Sequence, residues 1–447
     1  MKYFNILLAL SVLVCCSCES DSEDTDSAPV ITIVDFKTSK NEVEVIWDLK
    51  KGSQIIIEDL QIVRGSENQD FDYREANETT NIPSSSLSFI DTDVPYLDNL
   101  TYTIVVSYRL DSEDVLERKV AQSETVVFSR SFPKFEMAPF QVAQDSDQKQ
   151  VYHILDIHRG ARVLKYDGSS ESITQEFEFT TDPGQNNRFH INGNAILSAT
   201  KNGKITYLNK DSYQPMNTIQ VNINDTFNAF AEQNGFIYYL DDEILHFYNI
   251  NEDTQTNTGF VYQFDFLSDL DGTDFFALFS GISVSAVIKY QVQTTSFPGE
   301  EEYIQFEDVL NTYAMQTDGN DFDPNIFTWN NDRSLFLTSI EGRIYRTNDF
   351  SPVAVLQEQT GKNYFNFLIA ENGDIYASVQ GERLIHVFDG TSFELKDAIT
   401  TKLYPLYPML VNGEVQCIGA YEPVQYWNHI YGYEYIFNIN CAVETFN

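Results

Sequence analysis

Apolar and polar residues alternate in short runs from Ala28 to Ser129, at 31–36, 42–47, 54–63, 87–90, 101–108 and 124–128. A period of two marks a half-buried strand, because successive side chains leave opposite faces of the sheet. Turn-rich spacers such as Lys50-Lys51-Gly52-Ser53 separate the runs, and Val43, Val45 and Trp47 share one face of the second. Beyond residue 130 the pattern changes. Runs such as 205–208, 344–345 and 384–388 are apolar on both faces, so each needs cover on both sides. Tight-turn signals punctuate this stretch at Asp145-Ser146-Asp147, Asn192-Gly193, Asn234-Gly235, Ser280-Gly281, Asn331-Asp332, Asn372-Gly373 and Asn412-Gly413. Each is flanked by strand-like runs, and Asn-Gly suits a type I′ hairpin because both central residues need positive φ.

The seven turns recur about every 44 residues on average, with about four strands per period and no helical pattern between them. Such a repeat is the signature of β-propeller blades, each burying its faces only against its neighbours. The expected fold is all-β, with a β-sandwich over 29–130 and a β-propeller over 131–447. Seven blades are expected, with six or eight left open by the irregular stretch 283–306. Residues 131–137 are expected to add an outer strand to the last blade and close the ring. In the sandwich, Leu97-Asp98-Asn99-Leu100-Thr101-Tyr102 leads into Ile104 and Val106, placing a tyrosine near the start of the penultimate strand. This segment resembles a fibronectin type III domain. The resemblance implies Trp47 as core tryptophan and Tyr102 as corner tyrosine; no recognition motif stands out, so the domain reads as a spacer.

Residues 1–17 read as a signal peptide, with Lys2 as the positive start and an apolar run of about ten residues, too short to span a bilayer. The run ends in Val14-Cys15-Cys16-Ser17-Cys18, where Ser17 directly before Cys18 resembles a bacterial lipobox. That resemblance makes Cys18 the lipidated residue; an ordinary signal peptide cleaved nearby is the alternative. Residues 18–28 follow as an acidic, Ser-rich tether that cannot bury anything. The acids at 19–26 resemble the surface-export signal of Bacteroidota lipoproteins, which implies a lipid-anchored protein of the outer membrane facing the cell surface. A plain linker on a periplasmic lipoprotein is the other reading.

Charge narrows the partners. The 67 acidic against 28 basic side chains leave a net charge of −39, which repels nucleic acid and anionic headgroups, while 42% hydrophobic residues exclude wholesale disorder. Cys417 and Cys441 are an even pair in an oxidising compartment, and either a disulfide or two buried thiols fits. Motifs for nucleophile elbows, phosphate loops and zinc helices are missing, and the six histidines never fall at helical metal spacing. No cofactor is implied. Two loops, Asp269-Leu270-Asp271-Gly272-Thr273-Asp274 and Asp318-Gly319-Asn320-Asp321-Phe322-Asp323, offer the clustered oxygens that calcium takes. Neither continues as an EF-hand; calcium sites and ordinary Asp-Gly turns are the two readings.

The functional lead is geometric. Loops opening on one propeller face are expected to carry His158, Arg159, Arg188, Tyr313, Tyr364, Tyr404, Tyr407, Tyr426, Trp427 and His429. Aromatic, amide and guanidinium groups converging there suit a planar or sugar-like ligand, although tyrosines packed on blade edges give the same sequence. Anchor, export signal and architecture together resemble the propeller lipoproteins with which Bacteroidota capture cobalamin, siderophores or glycans beside an outer-membrane transporter. The resemblance implies a non-catalytic binding or scaffold protein that takes a small-molecule or glycan ligand. The alternatives are a surface glycan-processing enzyme using propeller-face carboxylates and a purely structural interaction module.

Overall fold

The structure, a computed structural model, describes residues 27–39, 42–66, 77–111, 118–156, 162–179, 188–225, 227–262, 264–270, 274–280, 284–295, 303–315, 326–330, 332–424 and 439–446, with backbone only at 258–260, 280, 284–285, 293–295 and 303–315. Two compact units, Met1–Arg130 and Ser131–Asn447, divide the chain. Among the described residues one four-residue helix, Gln357–Thr360, interrupts the strands, and no helix is long and apolar enough to cross a membrane.

The first unit holds two antiparallel sheets. One orders Val30–Thr38, Val43–Lys50 and Ser88–Asp91; the other orders Glu78–Ile82, Ile55–Gly65, Asn99–Leu110 and Lys119–Gln122, with Val126–Ser129 also on Asn99–Leu110. Alternation does what the sequence pattern requires: Val43, Val45 and Trp47 are buried while Glu44 and Ile46 between them are not fully covered. Tyr102 is buried too, and its hydroxyl donates to Asp91 Oδ2 at 2.8 Å.

The second unit is a succession of four-stranded meanders, seven among the described residues. Their first strands are Gln141–Gln144, His190–Asn192, Phe227–Gln233, Phe266–Asp269, Phe327–Trp329, Tyr364–Ile369 and Tyr404–Val411. Burial differs between inner and outer strands. The second strand Val151–Asp156 is buried throughout, whereas the fourth strands Pro215–Gln220 and Leu395–Thr400 are almost wholly exposed. Polar outer strands leave little apolar edge for another chain to pair with.

Apolar clusters join successive sheets. Phe227, Ile237 and Tyr239 of the third pack on Leu197 and Ile205 of the second; Phe276 of the fourth packs on Phe336 of the fifth. The seventh meets the first through Met409 and Val411 against Tyr152 and Tyr166. Side-chain hydrogen bonds fasten that seam: Tyr152 Oη donates to Leu410 O at 3.1 Å, Tyr166 Oη donates to Gln416 Oε1 at 2.8 Å, and Gln416 Nε2 donates to Gly168 O at 3.1 Å. The seventh sheet is completed by Lys134–Phe135, which pairs with Cys441–Thr445, so both ends of the unit share one sheet. Serial four-stranded meanders packed face to face and closed into a ring constitute a β-propeller.

Six of the seven turn signals fall between first and second strands. Ser280-Gly281 falls one hairpin later, between Asp274–Ser280 and Val284–Thr295, because a glycine dipeptide suits any hairpin of a meander. At Asn234-Gly235 and Asn412-Gly413 both residues have positive φ, as type I′ demands; at Asn192-Gly193 and Asn372-Gly373 only the glycine does. A second repeat closes the third-to-fourth-strand hairpins. Asn209, Asn249 and Asp389 each accept backbone N–H groups two and three residues on, and the residue four on (Tyr213, Asp253, Phe393) has positive φ. Gly390 in one such turn lies so close to Gly373 that any Cβ would overlap that backbone.

Cys417 and Cys441 are free, buried thiols. Cys417 pairs with Glu444 and Cys441 with Ala420 across adjacent strands, so the two side chains project from opposite faces of the sheet and a disulfide between them is geometrically barred.

Candidate ligand-binding channel

The first strands of the seven sheets surround a cavity of about 610 Å³. Residues entering those strands, Phe140, Arg188 and Phe189, bound it at one end; turns leaving them, at Asp145, Gly193 and Arg333, bound it at the other.

Arg188 is buried, with its guanidinium carbon 5.6, 5.9 and 5.4 Å from the ring centres of Phe140, Phe266 and Phe327. Beside it, the Gln141 amide accepts from Phe189 N at 2.9 Å and donates to Phe189 O at 3.0 Å, which fixes the entry into the second sheet. Arg333 at the opposite end is exposed; it lies 5.1 Å over Trp329 and donates to Asp269 O at 2.8 Å. His190 stands edge-on to Phe230 at 4.7 Å and stacks near Phe266 at 5.9 Å. Part of its surface opens to the cavity, yet the walls desolvate it, and that burial, with Arg333 and Arg188, holds its pKa down to about 4. It is therefore a neutral ring at neutral pH.

The acids of the wall are engaged. Asp145 accepts from His153 Nε2 at 3.0 Å and Lys210 Nζ at 3.3 Å, and Asp269 accepts from Gln233 Nε2 at 2.7 Å. Burial pushes the Glu232 carboxyl above the usual carboxylate range, against the pull of Tyr207 and Asn192.

Of the residues expected on the binding face, Arg188 lines the cavity and Tyr407 reaches its wall. Four tyrosines expected in loops lie in strands instead. Tyr364 begins Tyr364–Ile369 and is buried, its hydroxyl 2.6 Å from Thr360 Oγ1 and 3.0 Å from His386 Nδ1. Tyr404 and Tyr407 belong to Tyr404–Val411; Tyr404 carries the Arg383 guanidinium at 5.0 Å, and Tyr407 donates to Pro139 O at 2.7 Å. Tyr313 sits in Tyr303–Met315, where its backbone pairs with Ala286. Register buries the rings of Tyr364 and Tyr407 and half-buries that of Tyr404, and proline in Tyr404-Pro405-Leu406-Tyr407 is no bar to a strand bordering the central cavity. Because the buried Tyr407 hydroxyl donates to Pro139 O, Tyr407→Phe is expected to lower stability by about 1 kcal/mol, read as a shifted urea midpoint. His158, Arg159, Tyr426, Trp427 and His429 lie outside the described residues.

The described acids of the first acidic loop, Asp269 and Asp274, are engaged by neighbouring side chains. Asp274 is buried against Lys289 and accepts from Gln291 Nε2 at 2.5 Å. Asp271, Asp318, Asn320 and Asp323 lie outside the described residues. Among those described, no group of three or more His, Cys, Asp or Glu side chains is placed to hold a metal ion.

His190, Phe266, Phe327, Trp329 and Arg333 were not anticipated as site residues. Their signal is positional: each precedes or flanks a first-to-second-strand turn, at the strand nearest the ring centre.

No protein-family profile and no curated protein matches the chain. Among solved structures, the crystal structure of RRP9 WD40 repeats aligns with a TM-score of 0.42 and 11% identity, over 69% of this chain and 95% of that one.

Proposed function

We propose that the chain is a lipid-anchored, cell-surface binding protein that captures a small ligand in its central channel without chemical turnover, in partnership with an outer-membrane transporter. The observation that carries the binding role is the cavity of about 610 Å³ whose wall combines Arg188 and Arg333 with aromatic rings, a volume and lining suited to a small molecule. Cys18 after Ser17 and the acids at 19–26 support the anchor and the export. Seven four-stranded sheets, the last completed from the start of the unit, support a seven-bladed propeller. A three-stranded and a five-stranded sheet around buried Trp47 and Tyr102 support a fibronectin type III-like spacer.

A panel of oligosaccharides, corrinoids and aromatic acids titrated against the purified mature chain tests the reading. One class binds, and Trp329→Leu weakens it by about 1–3 kcal/mol with little change in melting temperature. Binding untouched by Trp329→Leu places the ligand elsewhere and sinks the channel assignment. In whole cells, added protease cleaves the wild type, and alanines at 19–24 protect it; equal cleavage of both rejects the export signal.

A further inference from the structure

We infer that the channel selects an uncharged planar heterocycle with a hydrogen-bond donor and an acceptor on its rim, the donor directed to His190, the acceptor to Trp329 Nε1, and the body on Phe266. This rests on the capture reading and names its ligand class.

Most polar side chains on the strands that line the cavity are already spent. Gln144 Nε2 donates to Lys149 O at 2.6 Å, Ser268 Oγ to Asp269 O at 3.1 Å, and Thr328 Oγ1 to Phe367 O at 2.9 Å and Asn366 Oδ1 at 3.1 Å. Gln141 holds both backbone groups of Phe189, Asp269 holds Gln233, and Glu232 holds Tyr207 and Asn192. Two groups remain open among the described strand residues of the wall. Trp329 Nε1 is buried and has no hydrogen-bond partner, and the hydrogen bonding of His190 is confined to the Phe230 backbone carbonyl, which takes one ring N–H. A buried donor without a partner costs free energy that a ligand acceptor recovers.

Both groups meet at one ring. His190 stacks near Phe266 at 5.9 Å and 24°, and Trp329 tilts against it at 6.2 Å and 52°. Phe327 stands edge-on to Phe266 at 4.8 Å and to Trp329 at 5.0 Å. A flat body laid on this corner gains aromatic contact and meets the two open groups together.

The chemistry of the two groups sets the rim of the ligand. Because the nitrogen facing Phe230 carries the proton, the other nitrogen of His190 is an acceptor. Burial, followed by the charge of Arg333, holds its pKa down to about 4, so this acceptor persists at neutral pH. The indole N–H can only donate. The ligand must supply the reverse pair, as the N–H and C=O of a ring lactam do. Neither open group is charged, so an ion would shed its hydration without a counter-charge from them. A sugar presents a hydroxyl on most of its ring carbons, more than two groups can satisfy.

The test uses 2-quinolinone, a flat bicyclic lactam, and N-methyl-2-quinolinone, which keeps the carbonyl and loses the donor. With 2-naphthoate and cellopentaose, each is titrated calorimetrically into the full mature chain. The lactam is expected to bind about tenfold more tightly than its N-methyl form. His190→Phe, which keeps a ring beside Phe266 and loses the acceptor, should cost the lactam about tenfold and leave the N-methyl form within twofold. His190→Gln, which keeps an acceptor, should restore part of the preference, and Trp329→Phe should weaken both quinolinones alike. Melting temperatures identify any variant that fails to fold, and the remaining His190 variant then decides with the wild-type comparison. Equal wild-type binding of the two quinolinones, or equal loss of both in His190→Phe, overturns the heterocycle assignment. Tighter binding of naphthoate or cellopentaose that depends on Trp329 overturns it as well but leaves the capture reading standing. No binding of any probe at millimolar concentration overturns both.

Discussion

Asp91→Ala is expected to unfold the first unit under conditions where the wild type is stable, at a cost of about 3–5 kcal/mol. Arg64 and Asp91 are both buried, with Nη1 to Oδ2 at 2.7 Å. The same Oδ2 accepts from Tyr102 Oη at 2.8 Å, and Oδ1 accepts from Asp93 N at 2.9 Å. Burial and the Asp91 charge both push the Tyr102 phenol above its ordinary pKa, so the hydroxyl stays a donor. Removing the carboxylate takes the charge partner from a buried guanidinium, which keeps Asp93 O at 2.9 Å as an acceptor, and takes an acceptor from a phenol and a backbone amide inside the sandwich. Glu78, at 2.7 Å from Arg64, is too exposed to replace it. The readout is hydrogen exchange across Ile55–Gly65 and Asn99–Leu110 in the full chain. Loss of protection there, with the propeller strands unchanged, is the expected pattern; unchanged protection refutes it. Asp91→Leu combined with Arg64→Met should recover much of the loss, because no buried charge is left behind.

The second large effect is acid sensitivity of the first two propeller sheets. Asp145 lies at the turn between Gln141–Gln144 and Val151–Asp156, and its partners span both sheets. Oδ1 accepts from Asp147 N at 2.7 Å, Gln148 N at 2.9 Å and Lys210 Nζ; Oδ2 accepts from His153 Nε2. The Tyr213 hydroxyl lies 2.6 Å from the other ring nitrogen, His153 Nδ1. Burial alone would raise the Asp145 pKa, but the N–H groups of Gln148 and Asp147 together with His153 outweigh it and hold the pKa to about 2. A carboxylate depressed from about 4 to about 2 contributes about 2 kcal/mol above pH 4, lost as the pH falls towards 2. Burial also lowers the His153 pKa, so protons taken up by the unfolded chain below about pH 6.5 act in the same direction. Asp145→Asn should therefore cost about 2–4 kcal/mol at pH 7 and flatten the stability profile between pH 4 and 2. A variant whose acid midpoint matches the wild type's contradicts this assignment.

Much of the propeller was legible because its turns are chemically forced. Gly235 and Gly413 hold φ values of 82° and 87°, which a side chain resists, so the glycine dipeptides mark hairpins whatever surrounds them. Which hairpin they mark is a different question, and Ser280-Gly281 shows that local chemistry does not number the strands of a meander. The Asx turns at Asn209, Asn249 and Asp389 carried a second, independent period that would have settled it. The channel was less legible. Tyr364, Tyr404 and Tyr407 look alike in sequence whether they cap a loop or fill a strand, since aromatic residues favour both settings. Only the register of Tyr364 with Val379, or of Tyr404 with Ala420, decides which face each ring occupies. Arg188 was readable as a convergent cation, but its three phenylalanine neighbours come from three different sheets and share no local motif.

Lys134–Phe135 and Cys441–Thr445 lie some 300 residues apart in sequence and side by side in space. A ribosome makes the first strand long before the last one exists. Until then the first and seventh sheets each present an uncovered apolar face, and the loop that must close is nearly the whole unit. The ring can be completed only after synthesis has passed Thr445. For the same reason, a chain opened instead at an exposed hairpin such as Asn412-Gly413, with the old ends of the unit joined, would keep every strand pairing and change only the order in which the sheets are born.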